Sequence, residues 1–587
     1  MQIYRAPIDD MMFQLAAFGY ADVAALEKFE AFDDETVRMI LDQTGSLAAD
    51  VLLACNRAGD QEGTKWDPET GAVKTASGFK KAHDALAQNG YYGLTADDAH
   101  GGGGAPYSLG TAVREMLMSG NKSLSMCPGL TGGLIEALEA HATPELQSKY
   151  LPKLASGEWT GTMCLTEPHA GTDLGLLTTK AIPKDDGTYS LTGTKIWITF
   201  GEHDLADNII HLVLARLPDA PEGIKGISTF LVPKVLDDGT RNGIACSGLE
   251  HKMGIHGSPT CVMDLEDAEG YLVGVPGRGM ASMFTMMNAA RLFVGVEGVS
   301  LSEIAYQTAL AFAKDRRQSR ALNPTRSDSD HAADNILVHP DVRRMLLEVK
   351  STNEALRGLT TWASTNIDLS HHHPDEGVRQ TADDLVALLT PVIKAYGTER
   401  GFTNVSEAMQ VCGGAGYTQD WSIEQYLRDL RIALIYEGTN HIQALDLVGR
   451  KLPMGDGRLF EAFVKEARAA IAKGREIEET KDFADAFADA LGALVDATQD
   501  LGERAGQDRE EIGAAASTYL HLFGLVACAY SWVRQTTHAV SEGTPNADTK
   551  LKTARYFFAM VLPEMHGVLA KLGAGKAPMM DFDVDEL

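Results

Sequence analysis

The hydrophobic period of this 587-residue chain changes twice. From about Gly161 to Val275 apolar residues alternate or run in short blocks; on both sides they recur three and four apart. A period of two builds strands and a period of 3.6 builds helices, and neither pattern suits the other element. Ile209 to Leu217 (IIHLVLARL), Ile227 to Val232 (ISTFLV) and Cys261 to Leu265 (CVMDL) are short, apolar and bounded by Gly, Pro or Asp, as strands are. The pattern predicts a mainly α chain with a central β-domain. Such a length exceeds one compact core. The expected parts are a helical domain with an amino-terminal extension over 1–160, a β-domain over 161–276, a helical bundle over 277–455 and a carboxy-terminal helical domain over 456–587.

Two stretches carry candidate chemistry. In KIWITFG, Ile196, Ile198 and Phe200 are expected to point one way and Lys195, Trp197 and Thr199 the other. Trp197 and Thr199 then share a face. It is either a half-buried strand face or a cover for a flat ring with the hydroxyl as hydrogen-bond partner. In IYEGTNHIQ, Glu437 stands beside a glycine, and Thr439 or Asn440 can cap the helix beyond it. Ile442, Leu445, Val448 and Leu452 mark one apolar face of that helix. A carboxylate in such an elbow can act as a general base, although most charged loop residues are simply solvated.

Charge and cysteine content exclude several function classes. A formal charge of −29 repels phosphate backbones and anionic lipids, so neither nucleic acid nor membrane is an expected partner. The seven cysteines are scattered and include no CxxC pair, which predicts reduced thiols and no zinc ribbon. MQIYRAPIDDMMFQL is not a signal peptide, and no run of about 18 uninterrupted apolar residues is present, so the cytoplasm is expected. His371, His372 and His373 are consecutive and cannot converge on one ion, so no metal site is expected. Met280, Met283, Met286 and Met287 recur at helical spacing, which predicts core filling.

IYEGTNHIQ, preceded by QVCGGAGY and RDLRIALIYEGT, resembles the catalytic segment of the acyl-CoA dehydrogenases. The loop GYYGLTADDAHGGGG, the run GLIEALEAHATPELQSKYLPKLASGEWTGTMCLTEPHAGTD and the spacing from there to KIWIT are similar to the same family, over roughly residues 80–455. The resemblance implies a helical domain, a β-barrel-like domain and a helical bundle, with FAD as cofactor. It implies α,β-dehydrogenation of an acyl-CoA, with Glu437 taking the α-proton. By the same resemblance Leu165, Thr166, Gly171 and Thr172 lie along the flavin and its pyrophosphate, and Trp197 and Thr199 lie beside the ring. Arg316 and Gln318 match residues that reach the flavin of a neighbouring subunit; a solvated basic face is the other reading. Gln410, Gly413 and Gly414 match the adenosine side, where glycines allow close approach to a phosphate. Thr439 and His441 stand near the flavin, His441 where many relatives carry glutamine. Asn288, Arg291 and Gly438 match the substrate side, with a structural ion pair an equal reading for Arg291.

The resemblance also implies an electron-transfer flavoprotein as acceptor and a homodimer, with the last helices covering the surface that small relatives use to pair dimers. The extensions at both ends resemble a long bacterial branch whose substrates include 3-methylmercaptopropionyl-CoA, from dimethylsulfoniopropionate breakdown. A general short- or medium-chain dehydrogenase and an oxygen-using acyl-CoA oxidase stay open. A DNA-associated relative of the same fold is disfavoured by the charge and by the intact Glu437.

Overall fold

The strands of the main sheet form where the period of two places them, and five of them close a ring, while a small hairpin stands outside that range, in the part expected to be helical. A computed structural model describes residues 2–587, the side chains of Asn288 and Ala289 excepted. Residues 42–106 and 116–293 gather into one compact unit, and residues 1–41, 107–115 and 294–587 into another. The first holds a small hairpin, β1 (Lys65–Trp66) and β2 (Val73–Lys74), and a seven-stranded sheet. Its strands are β3 (Trp159–Cys164), β4 (Lys180–Pro183), β5 (Tyr189–Thr199), β6 (Asn208–Arg216), β7 (Ile227–Pro233), β8 (Ile244–Leu249) and β9 (Thr260–Val273). Strand β6 pairs β4, then β5, β9 and β7 come in turn, and β7 returns to β6. Strand β3 adds parallel to β6, and β8 adds to β9.

Both faces of β6 are buried, so its sequence is nearly all apolar. Val213 and Ala215 join a core with Leu191, Phe230 and Leu265. Ile210, Leu212 and Leu214 face the other way, onto Leu134, Leu138 and Leu151. Met283, Met286 and Met287 are buried in that second core with Met280 packed against it, as their spacing predicts.

The strict alternation expected in KIWITFG is broken. The β5–β9 register shifts between Lys195 and Ile198. Lys195 is fully buried, while Trp197 is 55% exposed with φ 65°. One inserted residue rotates the rest of the strand, so Lys195 and Trp197 do not share a face.

In the other unit long helices run over Pro340–His372, Glu376–Val411 and Glu510–Ser541, with the 294–315 part of the helix Gly279–Asp315. The first of these continues through His371 and His372. Helix Glu510–Ser541 is long and apolar enough in composition to cross a membrane, yet 67% of its most apolar window is buried inside the protein. Trp532 is fully buried there and donates to the Ser351 carbonyl at 3.0 Å. Gly524 lets the same helix approach Tyr396, since a Cβ would meet the ring at 2.2 Å.

Candidate functional site

Glu437 and Gly438 both lie in the left-handed backbone region, with φ 57° and 79°. For a residue with a Cβ that region costs roughly 1–2 kcal/mol, so the turn must be held from outside. Thr439 caps the short helix Asn440–Asp446, its hydroxyl accepting from Ile442 N. Gln443 Nε2 donates to the Glu437 carbonyl at 2.9 Å. Lys394 Nζ, from helix Glu376–Val411, donates to the Gly438 carbonyl at 2.8 Å and to Asn440 Oδ1 at 2.9 Å. Asn440 in turn donates to the Ala395 carbonyl and to Glu399. A side chain at 438 would meet Gln443 Nε2 at 2.7 Å, so glycine is required. The Glu437 side chain is half-buried on this clamped turn.

Tyr436 donates to both oxygens of Glu297 at 2.5 and 2.6 Å. Burial and the Glu297 charge push its hydroxyl well above its ordinary range, so it remains a donor. The buried face of this helix and its continuation is Asn440, Gln443, Ala444, Leu447 and Val448; of the expected apolar line Val448 is buried, while Ile442, Leu445 and Leu452 are half-buried. Gln443 is buried because its amide holds the turn. His441 is exposed, with Nδ1 2.9 Å from Ser517 Oγ of helix Glu510–Ser541.

Sequence reasoning missed Lys394, Glu297, Tyr436 and Gln443. The available signal was charge inside apolar helices, Glu297 in FVGVEGVS and Lys394 in VIKAY, because a buried charge must be paired.

The β-unit gathers a second set. Thr166 O accepts from Ile196 N at 2.9 Å, which lays 165–167 beside the 196–199 segment. Glu167 organises this loop. Its carboxylate accepts from Thr178 N and Oγ1, Thr179 N and Oγ1, and Lys195 Nζ, at 2.6–3.0 Å. Lys195 also donates to the Leu165 carbonyl at 3.0 Å. Burial raises the Glu167 pKa, but Lys195 and the hydroxyls outweigh it and bring the group down to about 2. Sequence reasoning missed both partners, though a lysine within an apolar strand signals one. Gly171 and Thr172 are exposed, and a Cβ at Gly171 would meet only Thr166 at 3.8 Å. Thr199 is half-buried, and the Trp197 indole, two residues earlier in the chain, is exposed. Arg291, 9% exposed, lies over the Phe284 ring at 5.8 Å. The side chain of Asn288 lies outside the described residues.

Back in the helical unit, Arg316, Gln318, Gln410, Gly413 and Gly414 are all exposed. A Cβ at Gly413 or Gly414 would have no atom within 4 Å. The Arg316 guanidinium sits 5.9 Å over Phe312, whose ring meets Trp421 edge-on at 5.0 Å. That contact joins the Arg316 end of its helix to the segment just beyond Gly413–Tyr417. Among the described residues no group of three or more side chains could hold a metal ion.

Four family models match in order. They are Acyl-CoA dehydrogenase, N-terminal domain (38–158), its middle domain (162–268), its C-terminal domain (277–452), and Acetyl-CoA dehydrogenase C-terminal like (461–583). The chain is 39% identical to the 3-methylmercaptopropionyl-CoA dehydrogenase of Ruegeria pomeroyi, over 96% of both chains. It is 34% identical to a butyryl-CoA dehydrogenase of Syntrophomonas wolfei, over 97% of this chain and 95% of the relative. A Bacillus anthracis acyl-CoA dehydrogenase, solved in complex with FAD, shares the fold with a TM-score of 0.74 at 21% identity, over 94% of this chain and 90% of that one.

Proposed function

Since the chain belongs to the acyl-CoA dehydrogenase family, FAD-dependent oxidoreductases acting on a CH–CH bond of an acyl-CoA, we propose that Glu437 is its catalytic base. The observation that carries this reading is the clamped turn. A glutamate is kept in left-handed backbone at a helix start, with the carbonyls of 437 and 438 tied by Gln443 and Lys394. Strain of this kind persists where the surroundings over-determine it, as at functional sites.

FAD, when bound, supplies the acceptor for the two electrons and the β-hydrogen. The chain supplies everything else. Glu437 removes the α-proton, and its own backbone N–H polarises the thioester carbonyl and stabilises the developing enolate. Gly438 makes room for the Gln443 amide that holds the turn, and the family resemblance assigns it to the substrate side. By the family resemblance, Asn288 and Arg291 are assigned to the acyl-CoA. The residues fit a flavin. An exposed indole can cover a flat ring with a threonine hydroxyl as hydrogen-bond partner, while open glycines and an arginine fork suit a pyrophosphate. By the family resemblance, Leu165, Thr166, Gly171, Thr172, Trp197 and Thr199 contact the flavin, and Thr439 and His441 are assigned to the same cofactor. Gln410, Gly413 and Gly414 hold the nucleotide end, and Arg316 and Gln318 complete the site of a neighbouring subunit in a homodimer.

The substrate is a short acyl-CoA, 3-methylmercaptopropionyl-CoA, in dimethylsulfoniopropionate breakdown. The Ruegeria relative, which spans the chain end to end, supports this. The Syntrophomonas relative favours butyryl-CoA as a second reading, and a thioether sulfur resembles a methylene in size and apolarity. Electrons leave to an electron-transfer flavoprotein. The seven cysteines are all free thiols, which suits the cytoplasm. A panel of methylmercaptopropionyl-, butyryl-, octanoyl- and isobutyryl-CoA, followed by loss of flavin absorbance, tests the substrate. The thioether or butyryl ester is expected to lead in kcat/KM; a clear lead for the octanoyl or the branched ester rejects it. Light scattering is expected to give a dimer.

A further inference from the structure

Glu297 sits in the interior of helix Gly279–Asp315 and is 3% exposed. A carboxylate taken out of water needs strong compensation. Its two oxygens receive the Tyr436 hydroxyl at 2.5 and 2.6 Å, lengths typical of charge-assisted O–H···O⁻ bonds. Tyr436 directly precedes Glu437. Gln443 and Lys394 hold the turn at the carbonyls of 437 and 438; the Tyr436 bond holds it from the other side of the strained residue. The Tyr436 hydroxyl also lies in the field of Glu297 first, then of Glu437 and of Asp429 from helix Ile423–Arg431. Lys394 is the cation facing the turn from helix Glu376–Val411.

We propose that Glu297 is a positioning residue for the base. Through the Tyr436 hydroxyl it fixes the backbone that aims the Glu437 carboxylate, and its charge raises the proton affinity of that carboxylate. Like charges close together disfavour ionisation of one another. A base with raised affinity takes the α-proton more readily. The proposal rests on Glu437 being the base.

The test uses FAD-loaded protein with butyryl-CoA as probe, following flavin bleaching by rapid mixing across the acid limb of the pH profile. Tyr436→Phe is expected to keep FAD and lose about tenfold or more in rate at saturating substrate, with KM nearly unchanged, since small misplacements of a catalytic group are costly. Glu297→Gln keeps an acceptor for the hydroxyl but not the charge. It is expected to recover most of the rate lost in Glu297→Ala, with the acid limb moved to lower pH by about half a unit. A merely structural residue changes the amount of folded, yellow protein and leaves that limb in place. If Glu297→Ala does not fold, the other two variants carry the test. Wild-type rates per bound flavin in both, with an unmoved acid limb, overturn the proposal. Glu437→Gln is the control. If that variant still reduces flavin, the base assignment fails and this proposal with it; if it is dead while Tyr436→Phe is wild type, positioning alone fails.

Discussion

A glutamine at 437 keeps the shape of the turn and its backbone N–H and loses only the proton acceptor. Glu437→Gln is therefore expected to fold, bind FAD and bind acyl-CoA, while flavin reduction falls by ~10²–10⁴-fold, the usual worth of a general base. Loss of FAD from the variant would make the residue structural. Glu167 makes a different prediction, read through pH. Its carboxyl is held at about 2 against an ordinary 4.5. The folded loop therefore prefers the ionised form, and the stability this contributes is present above about 4.5 and lost as pH falls toward 2. Glu167→Gln lacks that dependence. The stability gap between wild type and variant, measured by urea unfolding at several pH values, is expected to shrink on acidification below 4.5; a gap constant with pH rejects the assignment.

At the scale of elements, close packing is most exacting where helix Glu510–Ser541 crosses Tyr396. A methyl at Gly524 would stand 2.2 Å from the ring, and overpacking of this kind typically costs ~1–3 kcal/mol. Gly524→Ala is expected to melt several degrees below wild type; an unchanged melting temperature would mean that the helix shifts freely there. The elements themselves were legible in proportion to how local their causes are. The period of two announced β6 and β7, and the Thr439 cap announced the helix after Glu437. The bulge that turns Trp197 outward was not legible, because it depends on pairing with β9, a partner about 65 residues away. The hold on the turn was hidden for the same reason. Lys394 lies 44 residues from Gly438, and Glu297 lies 139 from Tyr436. The apolar line through Ile442 misled because Gln443, a polar residue, is the one that the turn needs buried.

On the scale of the whole molecule, one buried ion network ties remote parts of the chain within the helical unit. Arg357 donates to Glu115, Asp10 and Glu303, and Lys550 donates to Asp10 and Glu354, all within 3.0 Å. Burial raises the Asp10 pKa, but the two cations outweigh it and hold the carboxyl well below the usual range. Arg357→Ala would leave three largely buried carboxylates short of a partner, which typically costs ~3–5 kcal/mol. Urea unfolding is expected to show that loss, and a change below about 1 kcal/mol would mean that water or lysines make it good. Replacing Asp10 removes a single member and is expected to cost less.

The same network has a consequence for how the protein is made. Asp10 and Lys550 are 540 residues apart. At the usual pace of ~5–20 residues per second, a ribosome needs on the order of half a minute to two minutes to supply the lysine after the aspartate has emerged. Helix Ile8–Ala17 also packs against helix Pro340–His372, which is made earlier, but the Phe13 ring waits through that interval for His538 and Lys550. A molecule interrupted late in translation is thus left with the Phe13 ring short of its cover and Asp10 short of one of its two cations.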